Sequence, residues 1–227
     1  RESDSFGDAS GDNAAYNITG RISGVPIWDE DGDNYLHLGV SLSHKEMDGS
    51  YSVSQRAEAH MAEKITGVSV DADTVDLIGL EAAYVRDSLY IQGEYTSTSV
   101  DGNTGIEDAD FSGYYAQVGY YLTGEHKRYK LGKGVFDKVK PNSNFNLGED
   151  RGPGAWEVLA RYSNIDLEDD LYTGGELTDI TLGVNWYINP NLKVMMNYTH
   201  GELEDGILGS GEEEDLDYLQ ARFQVTW

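Results

Sequence analysis

The chain contains no cysteine, so neither a disulfide framework nor a thiolate metal site can hold it together. It also lacks any run of about 20 apolar residues, the length that a membrane-spanning helix requires. Proline is rare, at 4 of 227 residues, whereas glycine (27) and tyrosine (16) are frequent. This composition indicates strands joined by many turns. A membrane protein built from strands remains compatible with it, because such strands turn half of their side chains toward a polar interior.

Positive charge is also scarce, with 16 Lys and Arg against 41 Asp and Glu, a net charge of -25. Nucleic acid requires a partner of the opposite sign, so we expect no nucleic-acid partner. Catalytic signatures are missing too: the chain has no H-E-x-x-H, no G-x-S-x-G and no phosphate-binding loop. We therefore expect no enzyme, no catalytic residue and no cofactor.

Alternation of apolar and polar residues is the dominant pattern. In the last ten residues, Leu219, Ala221, Phe223, Val225 and Trp227 alternate with polar or smaller partners. A period of two indicates a strand with two different faces. By this criterion the sequence predicts ten strands, over residues 16–25, 35–44, 53–62, 75–85, 89–98, 111–122, 155–165, 177–188, 192–201 and 217–227.

The predicted connections are of two kinds. Residues 86–88 and 189–191 are short turns, whereas residues 99–110, 166–176 and 202–216 are long, glycine-rich and acidic. Outer-membrane barrels have short periplasmic turns and longer extracellular loops. The core of a soluble β-barrel or sandwich is the alternative, but its two ends need not differ in this way.

Aromatic residues near the strand ends favour the membrane interpretation, because amphipathic rings prefer the two lipid–water interfaces. The residues in question are Tyr114, Tyr120, Trp156, Tyr162, Trp186, Tyr198 and Trp227.

Several segments resemble the C-terminal part of the phosphate-selective porin O and P family. They are LTGE (122–125), GVF (134–136), GAWEVLARYSNIDL (154–167), LTDITLGVNWYINPNLKVMMNYTH (177–200) and ARFQVTW (221–227). The resemblance covers most of residues 13–227. It implies an all-β, antiparallel transmembrane β-barrel of sixteen strands, about ten of them in this chain. It further implies a homotrimer in the outer membrane of a Gram-negative bacterium, a passive channel for small ions and for anions such as phosphate.

On this interpretation, residues 1–12 are a loop or linker remnant and residues 13–227 are barrel strands. If the apolar faces meet lipid, the opposite faces line the lumen. The predicted lumen residues are Arg21, His37, Arg56, Glu58, His60, Glu81, Glu94, Glu157, Arg161, Lys193 and Arg222. Anion-selective family members carry an arginine run where this chain reads YSVSQRAEAH (51–60), and only Arg56 remains of it. With Arg56 paired to Glu58, we expect weak selectivity.

A basic segment at residues 123–153 stands out against the acidic background, and the strand count places it in the periplasm. It contains Lys127, Arg128, Lys130, Lys133, Lys138 and Lys140. Two interpretations stay open: the segment collects or guides anions, or it anchors a folded turn against acidic neighbours.

The acidic loops also allow two interpretations. They are a solvated surface, or they bind divalent cations that bridge to phosphates of lipopolysaccharide. The best calcium candidate, DEDGDN at residues 29–34, fails as an EF-hand because Asn34 takes the glycine position and Val40 the glutamate position. We therefore assign no metal site. The alternative function is a non-conducting structural or adhesive barrel that displays acidic, cation-binding loops.

The chain end resembles the tag that the barrel-assembly machinery reads in outer-membrane barrels. Phe223, Val225 and Trp227 carry this resemblance. It places the C-terminus in the periplasm, next to the basic segment.

Overall fold

The computed structural model describes residues 14–59, 61–148, 152–206 and 214–226. Apart from one short 3-10 turn (Leu131–Lys133), the regular structure within them consists of strands. Their bounds are β1 Ala14–Trp28, β2 Asn34–Gln55, β3 Thr66–Arg86, β4 Leu89–Gly102, β5 Ala109–Tyr121, β6 Tyr129–Lys130, β7 Val135–Phe136, β8 Ala155–Asp169, β9 Tyr172–Asn189, β10 Leu192–Glu204 and β11 Glu214–Val225. None of the described residues forms a helix long and apolar enough to span a bilayer.

Nine of these strands form one antiparallel sheet in the order β1-β2-β3-β4-β5-β8-β9-β10-β11. Each strand pairs with its neighbour in sequence, and only the small β6–β7 hairpin interrupts this meander, between β5 and β8. The predicted all-β, antiparallel fold is confirmed.

The sheet has two ends. We call "turn end" the end with the connections at residues 29–33, 87–88, 122–154 and 190–191. We call "loop end" the end with the connections at residues 56–65, 103–108, 170–171 and 205–213. The basic segment therefore lies at the turn end, on the same side as the short turn at residues 190–191.

The two faces of the sheet invert the usual pattern of a water-soluble protein. Large aliphatic side chains on one face are exposed, such as Ile22 (78%), Leu182 (55%) and Leu219 (77%). Polar side chains on the other face, such as Thr181 and Thr199, are buried. An apolar outer face around a polar interior is what a lipid environment selects. We call these the outward and the inward face.

Rings border the aliphatic band of the outward face on both sides. Near the turn end they are Tyr84, Tyr120, Trp156 and Trp186, and near the loop end they are Tyr16, Tyr95, Tyr114, Tyr162 and Tyr198. Trp156 and Trp186 stack with their ring centroids 5.3 Å apart, and both indole N–H groups donate to the carbonyl of Pro153. Two such girdles are typical of membrane barrels.

The separate strand predicted over residues 53–62 does not form. Residues 34–55 are one long strand with an irregularity between Glu46 and Gly49, and residues 56–65 are its loop. The serines of this strand hide its length in the sequence, because they interrupt the alternation of apolar and polar residues. In the structure their side chains pair with polar side chains of the neighbouring strand. Ser52 and Ser69, for example, share a hydroxyl–hydroxyl hydrogen bond of 2.8 Å.

Because the sheet has nine strands and not ten, one acidic connection lies at the opposite end of the sheet from the predicted one. With nine strands in the sheet, the turn that contains Asp29 and Asp33 lies at the turn end. There the N–H of Asp87 donates to the carbonyl of Asp33 at 2.8 Å. The sequence had placed this turn with the long acidic loops.

The long loop predicted at residues 166–176 is also absent. β8 continues to Asp169 and β9 begins at Tyr172, so Asp170 and Leu171 alone connect them. Asp170 has a φ of 22°, in the left-handed region that tight hairpins use. Cross-strand pairing, as at Glu168 and Thr173, extends the strands through this acidic stretch.

The sheet curls strongly toward its inward face. β3 contacts β9 although β4, β5 and β8 separate them in the sheet. Buried apolar clusters fill the inward face near both ends. At the loop end they contain Met47, Tyr51, Val70, Val75, Phe111 and Leu167, with Ala57, Ile65, Leu177 and Leu203 beside them; at the turn end they contain Tyr35, Val85, Tyr90, Tyr121, Val139 and Ala155. Polar and charged side chains lie in a layer between these clusters.

Candidate functional site

Charged side chains of the inward face are the candidate functional residues, and strand alternation places most of the predicted set there. Arg21, His37, Glu81, Glu94, Glu157, Arg161, Lys193 and Arg222 share this face. Arg56 and Glu58 lie instead in the loop at residues 56–65. His60 lies outside the described residues.

Arg21 is compensated by a chain of polar contacts. Its Nε donates to Glu81 Oε1 at 2.9 Å, and the same carboxylate oxygen lies 3.1 Å from His37 Nε2. His37 Nδ1 in turn lies 2.7 Å from the hydroxyl of Tyr129, on β6. Gly39 makes room for Glu81, because an added Cβ there would lie 2.0 Å from the carboxylate. The charge of Arg21 is therefore largely cancelled.

The charge of Arg161 is compensated by a carboxylate from a loop that is distant in sequence. Glu58 Oε1 lies 2.5 Å from Arg161 Nε, an ion pair whose N–H is not aligned as a hydrogen bond. The guanidinium also lies 3.8 Å above the ring of Tyr115. The sequence paired Glu58 with Arg56, but Arg56 is exposed and has no ion-pair partner among the described residues.

Glu58 also fixes its own loop against the sheet. Its carboxylate accepts hydrogen bonds from Ser163 at 2.9 Å and from Thr181 at 2.7 Å. Its backbone N–H donates to Asp179 at 3.0 Å, and its carbonyl accepts from the Gln220 amide at 2.7 Å. Contacts to β8, β9 and β11 thus hold residues 57–59 over the inward face.

Glu157 and Asp179 are the most enclosed carboxylates of this face in the described residues, each at 3% exposure. The Glu157 carboxylate accepts hydrogen bonds from the Tyr90 hydroxyl at 2.6 Å, the Tyr187 hydroxyl at 2.7 Å and the Asn185 amide at 2.7 Å. A buried carboxylate with three donors is satisfied. Glu94, by contrast, is exposed and accepts from the Tyr115 hydroxyl at 2.7 Å.

The basic segment crosses the inward face at the turn end. The Tyr35 hydroxyl donates to the carbonyl of Lys127 at 2.6 Å. The ammonium of Lys127 lies 4.0 Å from the ring centroid of Tyr90 and 4.7 Å from that of Phe136, and it donates to the Gln92 side chain. Burial lowers the pKa of Lys127 to about 8; Glu157 opposes this shift and Lys193 adds to it.

The other bases of the segment have different partners or none. Lys130 pairs with Asp137 at 2.6 Å, and Lys138 donates to Asn191 at 3.3 Å. Within the described part of the chain, no ion pair or side-chain hydrogen bond holds Arg128, Lys133 or Lys140. Some bases of this segment therefore anchor its fold, whereas others leave positive charge without a partner in the described residues.

A cavity of about 380 Å³ lies between the basic segment and the sheet. We call it the turn-end cavity. Its lining includes Tyr90, Gln117, Lys127, Phe136, Asp137, Lys138, Glu157, Asn185, Tyr187, Lys193 and Gln224. The sequence identified its lysines and Glu157 but missed its tyrosines and amides. The one signal for them in the sequence was that they occupy the inward-facing positions of strands with alternating apolar and polar residues.

The acidic side chains also form one compact group in the described residues. His200, Glu202 and Asp215 place one ligand atom each within 4.8 Å of one another, at the loop end of β10 and β11. Asp217 lies beside them, 3.1 Å from His200. The group belongs to the exposed outward rim, not to the inward layer.

The last strand follows its predicted pattern. Arg222 is on the inward side of β11, whereas Phe223 and Val225 are outward and exposed at 61% and 49%. Trp227 lies outside the described residues, as do residues 1–12.

A profile of the family described as phosphate-selective porin O and P matches residues 4–227. The chain is similar to Porin O of Pseudomonas aeruginosa, with 29% identity over 226 residues, 86% of this chain and 50% of that protein. An uncharacterized protein of Caulobacter vibrioides is 29% identical over 201 residues, 86% of this chain and 39% of that protein. The chain thus spans half or less of the length of these curated relatives.

Proposed function

Since this chain belongs to the phosphate-selective porin O and P family, we propose that it forms part of the wall of an outer-membrane channel for small ions. The observation that carries the proposal is the exposed aliphatic band between two aromatic girdles, behind which lies a layer of charged side chains. Family members are porins, so the proposed activity is passive transport and not catalysis.

The proposed selectivity is a weak preference for anions. Rings of Arg or Lys give a pore an anion-selective field. Here Glu81 compensates Arg21 and Glu58 compensates Arg161. Lys127 and Lys193 have no carboxylate within ion-pair distance in the described residues, and both lie at the turn end. We propose that the remaining positive field is concentrated there.

The reversal potential of the full-length protein in a planar bilayer tests this function. In a salt gradient we expect ohmic conductance and a small shift toward the anion potential, and phosphate is expected to pass without strong block. The same preparation is expected to migrate as a heat-modifiable trimer on a gel. A cation-selective reversal potential would show that the acidic loops control passage, and a protein that stays monomeric without detergent would contradict the membrane assignment.

The anion preference is expected to depend on pH through Lys127. Because its pKa is lowered to about 8, the side chain is charged at neutral pH and becomes neutral as the pH rises through 8. The charged and titratable groups that share its cavity are Glu157, Lys193, Asp137, Lys138, Tyr90, Tyr121 and Tyr187. We expect the anion-to-cation permeability ratio to fall by roughly a factor of two between about pH 7 and 9.

Reversal potentials measured across this pH range in parent and Lys127→Met protein check the prediction. The variant is expected to show a lower ratio at neutral pH and little change as the pH rises. An identical pH profile in both proteins would assign the titration to another group.

A second function is favoured by the apolar clusters on the inward face. Met47, Tyr51, Phe111 and Leu167 fill the loop end where an open channel needs a polar lining. A barrel filled in this way would be a structural or adhesive protein that displays acidic loops. It would be heat-modifiable on a gel but electrically silent in the bilayer, which separates it from the channel.

We also propose contacts with outer-membrane lipid along the outward band. The homotrimer, lipopolysaccharide as a partner, and recognition of Phe223, Val225 and Trp227 by the barrel-assembly machinery stay predictions that follow from the family resemblance.

A further inference from the structure

We propose that the turn-end cavity is a binding site for a small organic anion, one that joins a carboxylate to a flat apolar body. The site would use Lys127 and Lys193 for the carboxylate and the surrounding rings for the apolar part. The inference relies on the proposed channel only for the route by which the ligand arrives.

The donors in the cavity outnumber their partners. An ammonium group carries three N–H donors and no acceptor. Lys127 has one hydrogen-bond acceptor in the described residues, Gln92, and Lys193 has none and lies 5.0 Å from the ring centroid of Tyr187. Partly buried donors without acceptors favour a ligand that is rich in acceptors. A carboxylate meets this requirement.

The two carboxylates that line the cavity do not accept hydrogen bonds from those lysines. Glu157 already accepts from Tyr90, Tyr187 and Asn185. Asp137, which also lines the cavity, is paired with Lys130. Three lysines, Lys127, Lys138 and Lys193, line the cavity against these two carboxylates, so its charge balance is positive and favours an anion over a cation.

The size and the walls of the cavity indicate an organic ligand. At about 380 Å³ the cavity is within the range of ligand pockets, about 300–1,000 Å³, and many times the roughly 30 Å³ that one water occupies. Phe136 and Leu159 contribute accessible apolar surface to it, and the almost fully buried rings of Tyr90 and Tyr121 line it from behind. An inorganic ion would leave these walls uncovered, whereas a ring can pack against them.

Isothermal titration calorimetry of the full-length protein in detergent tests the site with sodium benzoate as the probe. Benzyl alcohol, which has the same ring without the charge, and sodium chloride, which has the charge without the ring, are the ligand controls. We expect benzoate to bind and both controls to bind at least about tenfold more weakly. Raising the pH from about 7 to 9 is expected to weaken benzoate binding.

Three variants locate the binding. Lys127→Met and Lys193→Met each remove one ammonium from the cavity and are expected to weaken benzoate binding by about tenfold. Lys133→Met makes the same change at an exposed position of the same segment, outside the cavity lining, and is expected to bind like the parent. Heat-modifiable migration on a gel verifies that each variant is folded. Two differently placed lysines keep the test decisive if one variant fails to fold.

Benzoate binding that is absent, equal to that of benzyl alcohol, or unchanged in both lysine variants would overturn the site. The result is separable from the channel proposal. A conducting protein without benzoate binding refutes the site alone, whereas an electrically silent protein that binds benzoate refutes the channel and retains the site.

Discussion

Replacement of Glu58 by glutamine is expected to raise the anion-to-cation permeability ratio of the channel by about two- to fivefold. Glu58 cancels the charge of Arg161 in the inward layer, with 2.5 Å between the charged groups. Ser163 and Thr181 donate to different carboxylate oxygens of Glu58. The carbonyl oxygen of glutamine can accept from one of these hydroxyls and its amide N–H can donate to the other, so the loop is expected to stay in place. The guanidinium would then have only the more distant Asp179 carboxylate to offset its charge.

Reversal potentials in a salt gradient measure this change, and Glu63→Gln is the matched control. Glu63 belongs to the same loop and is exposed, and no described side chain pairs with it. Its replacement makes the same change in net charge and is expected to leave the ratio nearly unchanged. The double variant Glu58→Gln, Arg161→Gln is expected to return to the parent ratio. If Glu58→Gln and Glu63→Gln shift the ratio equally, the charge of the mouth and not Arg161 determines selectivity.

Substitution of Leu80 by arginine is expected to lower the free energy of unfolding of the barrel by about 2–4 kcal/mol. Leu80 is outward, 50% exposed and in the aliphatic band between the two girdles. A guanidinium there would lie in the hydrocarbon layer, where its loss of hydration is not compensated. Urea unfolding in lipid vesicles, followed by tryptophan fluorescence and by heat-modifiable migration, measures the effect.

Thr96→Arg is the matched control for this substitution. Thr96 pairs with Gly79, one position along the sheet from the Leu80–Tyr95 pair, and is exposed on the inward face. We expect a change in unfolding free energy of less than about 1 kcal/mol, since the new side chain extends into a polar space. Equal destabilisation at both positions would mean that the two faces do not differ in their surroundings.

The strand faces were predictable because lipid requires an apolar side chain at every second position. Leu182, Leu219 and Phe223 therefore mark the outward face directly in the sequence. Once this parity is known, Arg21, Glu81 and Arg161 follow on the opposite face. The aromatic girdles are equally visible, since rings stand at the ends of the aliphatic runs.

The partners of the charged residues were not predictable, because they depend on how far the sheet curls. Glu58 meets Arg161 only because the loop at residues 56–65 folds back across several strands. Lys127 enters its cavity because Tyr35 holds the backbone of the basic segment. No short-range spacing in the sequence encodes either distance.

The strand lengths were predicted wrongly for a different reason. Beyond the apolar band, backbone pairing continues while the side chains become polar, as at Ser50 and Ser52 of β2 or Glu168 of β8. The pattern of period two then lacks its apolar half, and a strand looks like a loop. The same effect concealed the tight connection at residues 170–171 and, through the strand count, the end at which Asp29 and Asp33 lie.

The unequal strand lengths bring two distant parts of the sheet into contact at the loop end. β2 and β3 have 22 and 21 residues, against 14 and 13 for β4 and β5, so their hairpin stands above its neighbours. It leans over the opening until Val68 reaches the opposite wall at Gly174, where an added Cβ would lie 3.0 Å from Val68 and 2.7 Å from Leu167. The β2–β3 hairpin thus connects its own wall to the opposite wall formed by β8 and β9. Because this contact joins the two walls, we expect them to move together at the loop end and not independently.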